Sequence, residues 1–544
     1  MKKLVALFLA LCLLPVVALG ELSAPGVYPI SDEKLDLTIW CTSHASVPDY
    51  YTNKMVTTYE EMSNVHVTWE LAGTDAATSY NLSITGGESS WPDIYLNNVN
   101  SANGGDLLTL AADGVIIPLN DLIENETVYI KAYLEEHPEI KEAITAPDGN
   151  IYSLFTSMYQ ATEDMMLKMW VYEEWLEAYK AATGKGMPAT TEEFKDMLIY
   201  FRDNDMNGNG DTTDEIPLTG TYAYWADGSD PMHYLIGAFQ KINTIDQAFF
   251  HKEGDEYVFE AASDTYREGL KYVRSLVEEG LLAEDTYVQD LSQFRALTST
   301  TKDKVIVGCA AAPYCGRLLT RNTEVENFVD YSSYVLVPPL TGPDGFCGTP
   351  LRTQDRIIFR GFITTACEDP VLAIKWLDYW YSKDGQDWTN YEGPEGVGYE
   401  WVDKVAIDGS ARSINNWDDP DNSHLPMSYG VPFIQTRDTF LKQALENVYN
   451  SASTTVEYIK QPYLDVAYPT GCLTVVWCQD LDLVAERAEL KTLFNDYIMN
   501  SATEFVLGVR DIHDDAQWEA YLAELDNMGL ERYIEVINTY YLGE

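Results

Sequence analysis

The densest run of potential metal ligands is Asp203-Asn204-Asp205-Met206-Asn207-Gly208-Asn209-Gly210-Asp211-Thr212-Thr213-Asp214-Glu215. Oxygen donors alternate there with residues that let a backbone curl. Calcium takes roughly six to eight hard oxygens, and alternation turns every second side chain inward. Two registers are open. Counted from Asp203, donor types fall where an EF-hand loop needs them, Gly208 takes the sharp-turn position, and Asp214 replaces the usual closing Glu. Counted from Asp205, oxygen donors recur at Asp205, Asn207, Asn209, Asp211, Asp214 and Glu215. A polar turn capping the preceding helix explains the same residues.

The elements that must carry such loops alternate in type. Leu37–Trp40 reads as a strand, 49–62 as a helix, and Val65–Trp69 as a second strand. A short helix follows over 76–84, then a third strand at 92–96. This order predicts parallel strands joined by crossover helices, hence an α/β protein. Later segments repeat the pattern. Helices are predicted over 173–183, 191–204, 265–279 and 370–382, with strands at 215–219, 304–308 and 357–364. The last fifty residues read as helices. Ligands in such sheets sit beyond the carboxyl ends of the strands.

The chain has 544 residues, 86 acidic against 35 basic, and a formal charge of −51. With 46% hydrophobic residues it has ample core material. The charge excludes nucleic acid and anionic membrane as partners, since no basic stripe exists to release counterions. Lys2, Lys3, the apolar run Leu4–Leu14, Pro15 and Ala18-Leu19-Gly20 read as a signal peptide over 1–20, cleaved before Glu21. The protein is thus expected to be exported. Seven cysteines follow: Cys41, Cys309, Cys315, Cys347, Cys367, Cys472 and Cys478. They are too sparse for a disulfide scaffold and read mostly as small buried hydrophobes, with Cys309–Cys315 and Cys472–Cys478 as conceivable bridges. The histidines have no partnering pattern and are expected at the surface or at caps. GxSxG, HExxH and GxxxxGK[ST] are absent.

A set of short motifs recurs in one order. These are Trp91-Pro92-Asp93-Ile94, Ala112-Asp113-Gly114-Val115-Ile116, Pro118-Leu119-Asn120-Asp121-Leu122-Ile123 and Pro147-Asp148-Gly149-Asn150-Ile151-Tyr152. Then come Glu174-Trp175-Leu176 with Pro188 and Glu193-Phe194, Leu276–Leu282, Gly393–Trp401, and Gly508, Trp518, Tyr521, Leu525 and Gly529-Leu530. With them the chain resembles the extracellular solute-binding proteins of ABC importers, in the branch associated with oligosaccharides and polysaccharides. The resemblance implies a two-lobed type 2 periplasmic-binding fold. Each lobe would be a mixed, mainly parallel sheet flanked by helices, with a helical C-terminal region. Residues 21–155 and 330–410 would form lobe I, and 156–329 and 411–544 lobe II. It also implies a calcium ion of structural role in the Asp205 register, because Ile216-Pro217-Leu218 follows as in the family. The chain departs from the family in lacking a lipobox: Cys12 follows Leu11 inside the apolar run.

A solute of that class, a neutral oligosaccharide, needs aromatic faces for its C–H surface and polar groups for its rim. Of 13 Trp and 37 Tyr, Trp170, Trp175, Trp376 and Trp380 lie on amphipathic helices and read as core. Trp69 ends the second strand and is open to either reading. The remaining candidates are loop aromatics Trp40, Trp225, Tyr314, Trp417 and Tyr429, with Asn97, Asn98 and Asp227 as polar partners. Buried packing is the competing reading for each, and about half are expected to line the crevice. The resemblance implies lobe closure around the solute, recognition by membrane permease subunits, a monomer and no covalent chemistry. A secreted carbohydrate-active enzyme and a ligand sensor for a membrane receptor are the alternatives.

Overall fold

The computed structural model describes residues 21–543 apart from 44–46, 48, 74, 97–103, 160–163, 245–248, 354, 392, 417–429, 451 and 472–474. Its strands, in chain order, are β1 (Leu35–Thr42), β2 (Val65–Ala72), β3 (Ile94–Leu96), β4 (Leu154–Met158), β5 (Met169–Tyr172), β6 (Ile216–Thr219), β7 (Phe250–Glu253), β8 (Glu256–Phe259), β9 (Val307–Ala311), β10 (Tyr334–Val337), β11 (Thr349–Leu351), β12 (Arg356–Ile363), β13 (Tyr399–Val402), β14 (Ser413–Asn416), β15 (Ile434–Gln435) and β16 (Ala467–Pro469).

Capping side chains set the helix ends, and the helix expected over 49–62 begins only at Lys54. Asn53 caps the helix Lys54–Ser63 by accepting from Val56 N, and Asn64 ends it in the left-handed region at φ 56°. Ser263 caps Asp264–Glu278, whose Tyr266, Leu270, Val273 and Val277 recur at three- and four-residue spacing and are all buried.

Six strands form one sheet in the order β15-β4-β12-β3-β1-β2. β1 lies parallel to β2 and β3, so the predicted β-α-β-α-β unit is present. β12 runs antiparallel between β3 and β4. A second sheet has the order β10-β5-β9-β6, with only β6–β9 parallel. Both sheets are mixed, and parallel pairs predominate only in the first. Each sheet has its own apolar core. Ile39, Tyr95, Phe155, Phe362 and Trp380 centre one. Trp170, Trp175, Phe201, Tyr266 and Val307 centre the other. The C-terminal helices Leu481–Leu507, Asp515–Asn527 and Leu530–Leu542 add Phe494, Tyr521 and Tyr533 to the second core.

The expected exchange points at 330 and 410 are displaced. β10 pairs with β5 in the second sheet, although 330–410 was assigned to the first lobe. β15 pairs with β4 in the first sheet, although 411–544 was assigned to the second. Strands this short are recruited by a free neighbouring edge, which a linear reading does not show.

Direction matters more than order for the site. β1, β3, β4 and β15 run the same way, so their carboxyl ends share one edge. In the second sheet the carboxyl ends of β6 and β9 share an edge with the start of β5, where Met169 pairs with Ala311. The chain leaves the first sheet from β4 and enters the second at β5. The carboxyl-end edges of both sheets therefore meet at the crossings.

Candidate functional site

β6 carries a different feature at each end. Beyond its carboxyl end lies the 3-10 segment Tyr222–Asp227, which contains the expected Trp225 and Asp227. A buried polar layer pins its start. Thr221 Oγ1 donates to Gln289 O at 2.8 Å, Gln289 Nε2 donates to Thr219 Oγ1 at 3.0 Å, and Thr219 and Thr286 hydroxyls meet at 3.2 Å. Gly228 closes the segment at φ 79°, where an added Cβ would come within 2.4 Å of Met166 O in the first crossing. Only glycine permits that approach.

Tyr314, also expected, follows β9 on the same edge and precedes the short helix Cys315–Leu318. The Arg317 guanidinium lies 4.6 Å from the Tyr224 ring centroid and 5.8 Å from that of Tyr314. Tyr224 is 40% exposed. A cation held between two tyrosine rings makes a stiff, amphipathic face, suited to a ligand with both C–H and hydroxyl surfaces. The sequence signal for Arg317 was weak, because nothing local marks an arginine that tertiary packing sets against an aromatic ring.

In the first sheet the candidates divide. Trp40 does not sit on a loop, because β1 continues two residues past it to Thr42. Its ring is 4% exposed and packs at 5.6 Å on both Tyr80 and Tyr95. That ring belongs to the lobe core. Asn97 and Asn98, directly after β3, lie outside the described residues, as do Trp417 and Tyr429; so do the side chains of Trp225 and Asp227. Trp69 is 6% exposed, and Trp170, Trp175, Trp376 and Trp380 are buried as expected. His233 and His251 are buried rather than at the surface. Neither sits in a surface loop: His233 lies on the wholly buried helix Pro231–Ile236, and His251 in β7 beside Glu260. Cys309 and Cys315 are free thiols, so the conceivable bridge between them is not made; Cys472 lies outside the described residues.

The crossings carry charged residues that sequence reading missed. Glu457, on the helix Ala452–Ile459, accepts from the Tyr159 hydroxyl at 2.6 Å, from Arg437 Nε at 2.6 Å, and pairs with Lys460 Nζ at 2.6 Å. Tyr159 follows β4 and Arg437 follows β15, so one carboxylate joins two crossings. Burial and the neighbouring Glu457 push the Tyr159 hydroxyl well above its ordinary pKa.

At the amino end of β6 lies the acidic loop. Asp203 is turned away, its carboxylate on Arg202 Nε at 2.7 Å. Asp205 instead accepts from Asn209 N at 3.1 Å and Gly210 N at 2.8 Å. Gly208 and Gly210 supply φ of 74° and 90°. These bonds curl the loop in the Asp205 register. Asp214 Oδ2 accepts from Asn209 Nδ2 at 2.7 Å, and Glu215 Oε1 from Met206 N at 2.9 Å. Asp214 Oδ1 and Glu215 Oε2 are buried without a hydrogen-bond partner. Burial, with Asp214 alongside, raises the Glu215 pKa. Two orphaned carboxylate oxygens beside a curled donor loop fit a hard cation, although no cluster of three or more His, Cys, Asp or Glu placed to hold a metal occurs among the described residues. Asp211 is bound to Thr213, by 2.9 Å to its N and 2.6 Å to its Oγ1.

No family model matches the chain. The fructooligosaccharide ABC transporter substrate-binding protein FusA of Streptococcus pneumoniae is 28% identical over 543 residues, covering 94% of this chain and 91% of that protein. Lipoprotein LipO of Bacillus subtilis is 22% identical over 287 residues, covering 51% and 53%. The solved structure of FusA with kestose aligns at a TM-score of 0.68 and 25% identity, covering 93% of this chain and 98% of that one. An EF-hand mutant of FusA with fructo-nystose aligns equally well. A solute-binding protein from Bifidobacterium longum infantis shares the fold at a TM-score of 0.65 and 16% identity, covering 94% and 99%. Two sheets with separate cores and crossings at their carboxyl edges accompany an end-to-end similarity to the substrate-binding protein of an ABC transporter.

Proposed function

We propose that the protein captures a neutral oligosaccharide, of the fructooligosaccharide kind, between its lobes and delivers it unaltered to permease subunits. The observation that carries this reading is the Tyr224–Arg317–Tyr314 cluster beyond the carboxyl ends of β6 and β9. Tyr314 belongs to that cluster, and Trp225, Asp227, Asn97 and Asn98 are kept as candidate contacts from the sequence. Trp417 and Tyr429 are kept as contacts from the segment that leads into β15. Closure brings the edges together, and a ligand bridging both shifts the population towards the closed form. The export reading agrees with a chain in which no helix among the described residues is long and apolar enough to cross a membrane. It acts as a monomer and performs no chemistry.

Calcium sits in the loop from Asp205 to Glu215, held by Asp205, Asn207, Asn209, Asp211, Asp214 and Glu215. Its place at the amino end of β6, away from the aromatic turn, gives it a structural role. Isothermal titration with kestose, followed by chromatography of the recovered sugar, tests the function. Saturable binding with the trisaccharide recovered intact is expected. Fructose release would make the protein an enzyme and end the proposal.

A further inference from the structure

The aromatic face leaves open how the floor of the cleft is built. Where the crossings converge, a cavity of about 310 Å³ is lined by Tyr159, Asp164, Arg352, Asp355, Arg437 and Lys460, with Leu351, Met165 and Leu464 supplying apolar wall. Its size is at the lower end of small-molecule sites, which run from roughly 300 to 1,000 Å³. It can hold a short part of a chain, not its length.

The carboxylates decide what fits. Asp164 is 7% exposed, and its side chain makes no hydrogen bond or ion pair with the described residues. A buried acid left without a partner is costly, and such a group in a native protein requires an explanation. Asp164 lines the cavity. Asp355, on the segment leading into β12, lines the same cavity, and its carboxyl pKa is raised by burial against the pull of His137. Lys460 and Arg437 are already committed to Glu457. The lining carries Arg352, Arg437 and Lys460 against Asp164 and Asp355, and Glu457 beside it takes up two of the three cations.

We infer that this cavity is a subsite for one end of the solute, and that it takes a neutral polyhydroxylated unit, whose hydroxyls donate to Asp164 and Asp355 while Tyr159, Leu351 and Leu464 cover its C–H face. An anionic unit such as a uronate would add charge beside Asp355 and the poorly solvated Asp164, with Arg437 and Lys460 already taken up by Glu457. Burial raises the Asp164 pKa to about 7, against the pull of Arg352, Lys460 and Lys168 and with the push of Asp355. This agrees with a group that waits for a hydrogen-bonding partner. The inference rests on the proposed function and names the chemistry of its site.

The test uses the full mature protein, with kestose, maltotriose and an alginate trisaccharide as probes, and the variants Asp164→Asn and Asp355→Asn. Wild type is expected to bind a neutral trisaccharide and not the alginate one. Asp164→Asn should weaken neutral-sugar binding at least tenfold while the ligand-free melting temperature holds or rises, since a buried unpaired acid is removed. That pairing separates ligand contact from misfolding. Asp355→Asn should weaken binding less, because its side chain is more exposed. Unchanged affinity in Asp164→Asn, with wild type binding, overturns this inference and leaves the proposed function standing. Preference for the alginate trisaccharide overturns the neutral-unit assignment. Wild type that binds no glycan overturns both.

Discussion

The Tyr159 hydroxyl donates to Glu457 Oε2 at 2.6 Å, joining residues 298 positions apart. One partner follows β4, and the other lies on the helix Ala452–Ile459 beyond the last crossing. Arg437 and Lys460 complete the cluster, and the Lys460 ammonium stands 4.7 Å over the Tyr159 ring. The crossings are therefore tied to one another through a carboxylate with no exposed side-chain surface.

Removing that carboxylate leaves Lys460, itself 6% exposed, buried without its counter-ion. Breaking a buried pair in this way typically costs about 3–5 kcal/mol. Glu457→Ala should lose stability of that order in urea denaturation. Tyr159→Phe, which removes one hydrogen bond and keeps the ring, should lose about 1 kcal/mol. Equal losses in the two variants would show that the charge pairing at Glu457 contributes nothing of its own.

Chelation should lower the melting temperature, and added calcium should restore it. A ligand that binds only the native state at a hundred times its Kd contributes about 2.7 kcal/mol. Asp214→Asn with Glu215→Gln removes the two buried orphan oxygens. That double variant should lose the calcium-dependent shift while sugar affinity changes little, because the loop lies at the far end of β6 from Tyr224. A calcium shift that survives would place the ion elsewhere.

Tyr224 offers its exposed ring beside Arg317. Tyr224→Ala should weaken sugar binding by about 1 kcal/mol, the worth of one aromatic contact, without altering the melting temperature beyond a degree or so. Gly228→Ala acts differently. Its Cβ would strike Met166 O, so the aromatic turn must move and both stability and binding should fall. Titration calorimetry and thermal unfolding on the same samples separate the two.

Asp230 caps the helix Pro231–Ile236 by accepting from Met232 N at 2.9 Å, while its Oδ2 is buried without a partner. Burial raises its pKa to about 7. In the unfolded chain the same carboxyl ionises near 4. Between those values the folded state holds more protons than the unfolded state, so stability falls as pH rises from about 4 to 7. Asp230→Asn keeps the cap and cannot ionise. It should gain stability over wild type at pH 8, by at most about 4 kcal/mol, and match it near pH 4. A gain independent of pH would rule out the buried charge as its source.

Much of this protein was legible along the chain. Parallel β1, β2 and β3 followed from alternating strand and helix periods, and the helices 173–183 and 191–203 from capping residues and apolar spacing. The acidic loop was visible because every donor lies within thirteen consecutive positions. Interactions of that kind are local, and local interactions leave a periodic or contiguous mark.

What folding alone decided is non-local. Arg202 pairs with Asp203 at the start of the acidic loop. Trp40 became core because Tyr80 and Tyr95 close over it. β10 and β15 joined the sheets whose edges were free. The cavity draws Tyr159 with Asp164, Arg352, and Arg437 from three segments far apart in sequence, so no spacing encodes it. An unpaired buried carboxylate is a property of surroundings, and surroundings exist only once the chain has crossed between its two sheets and back.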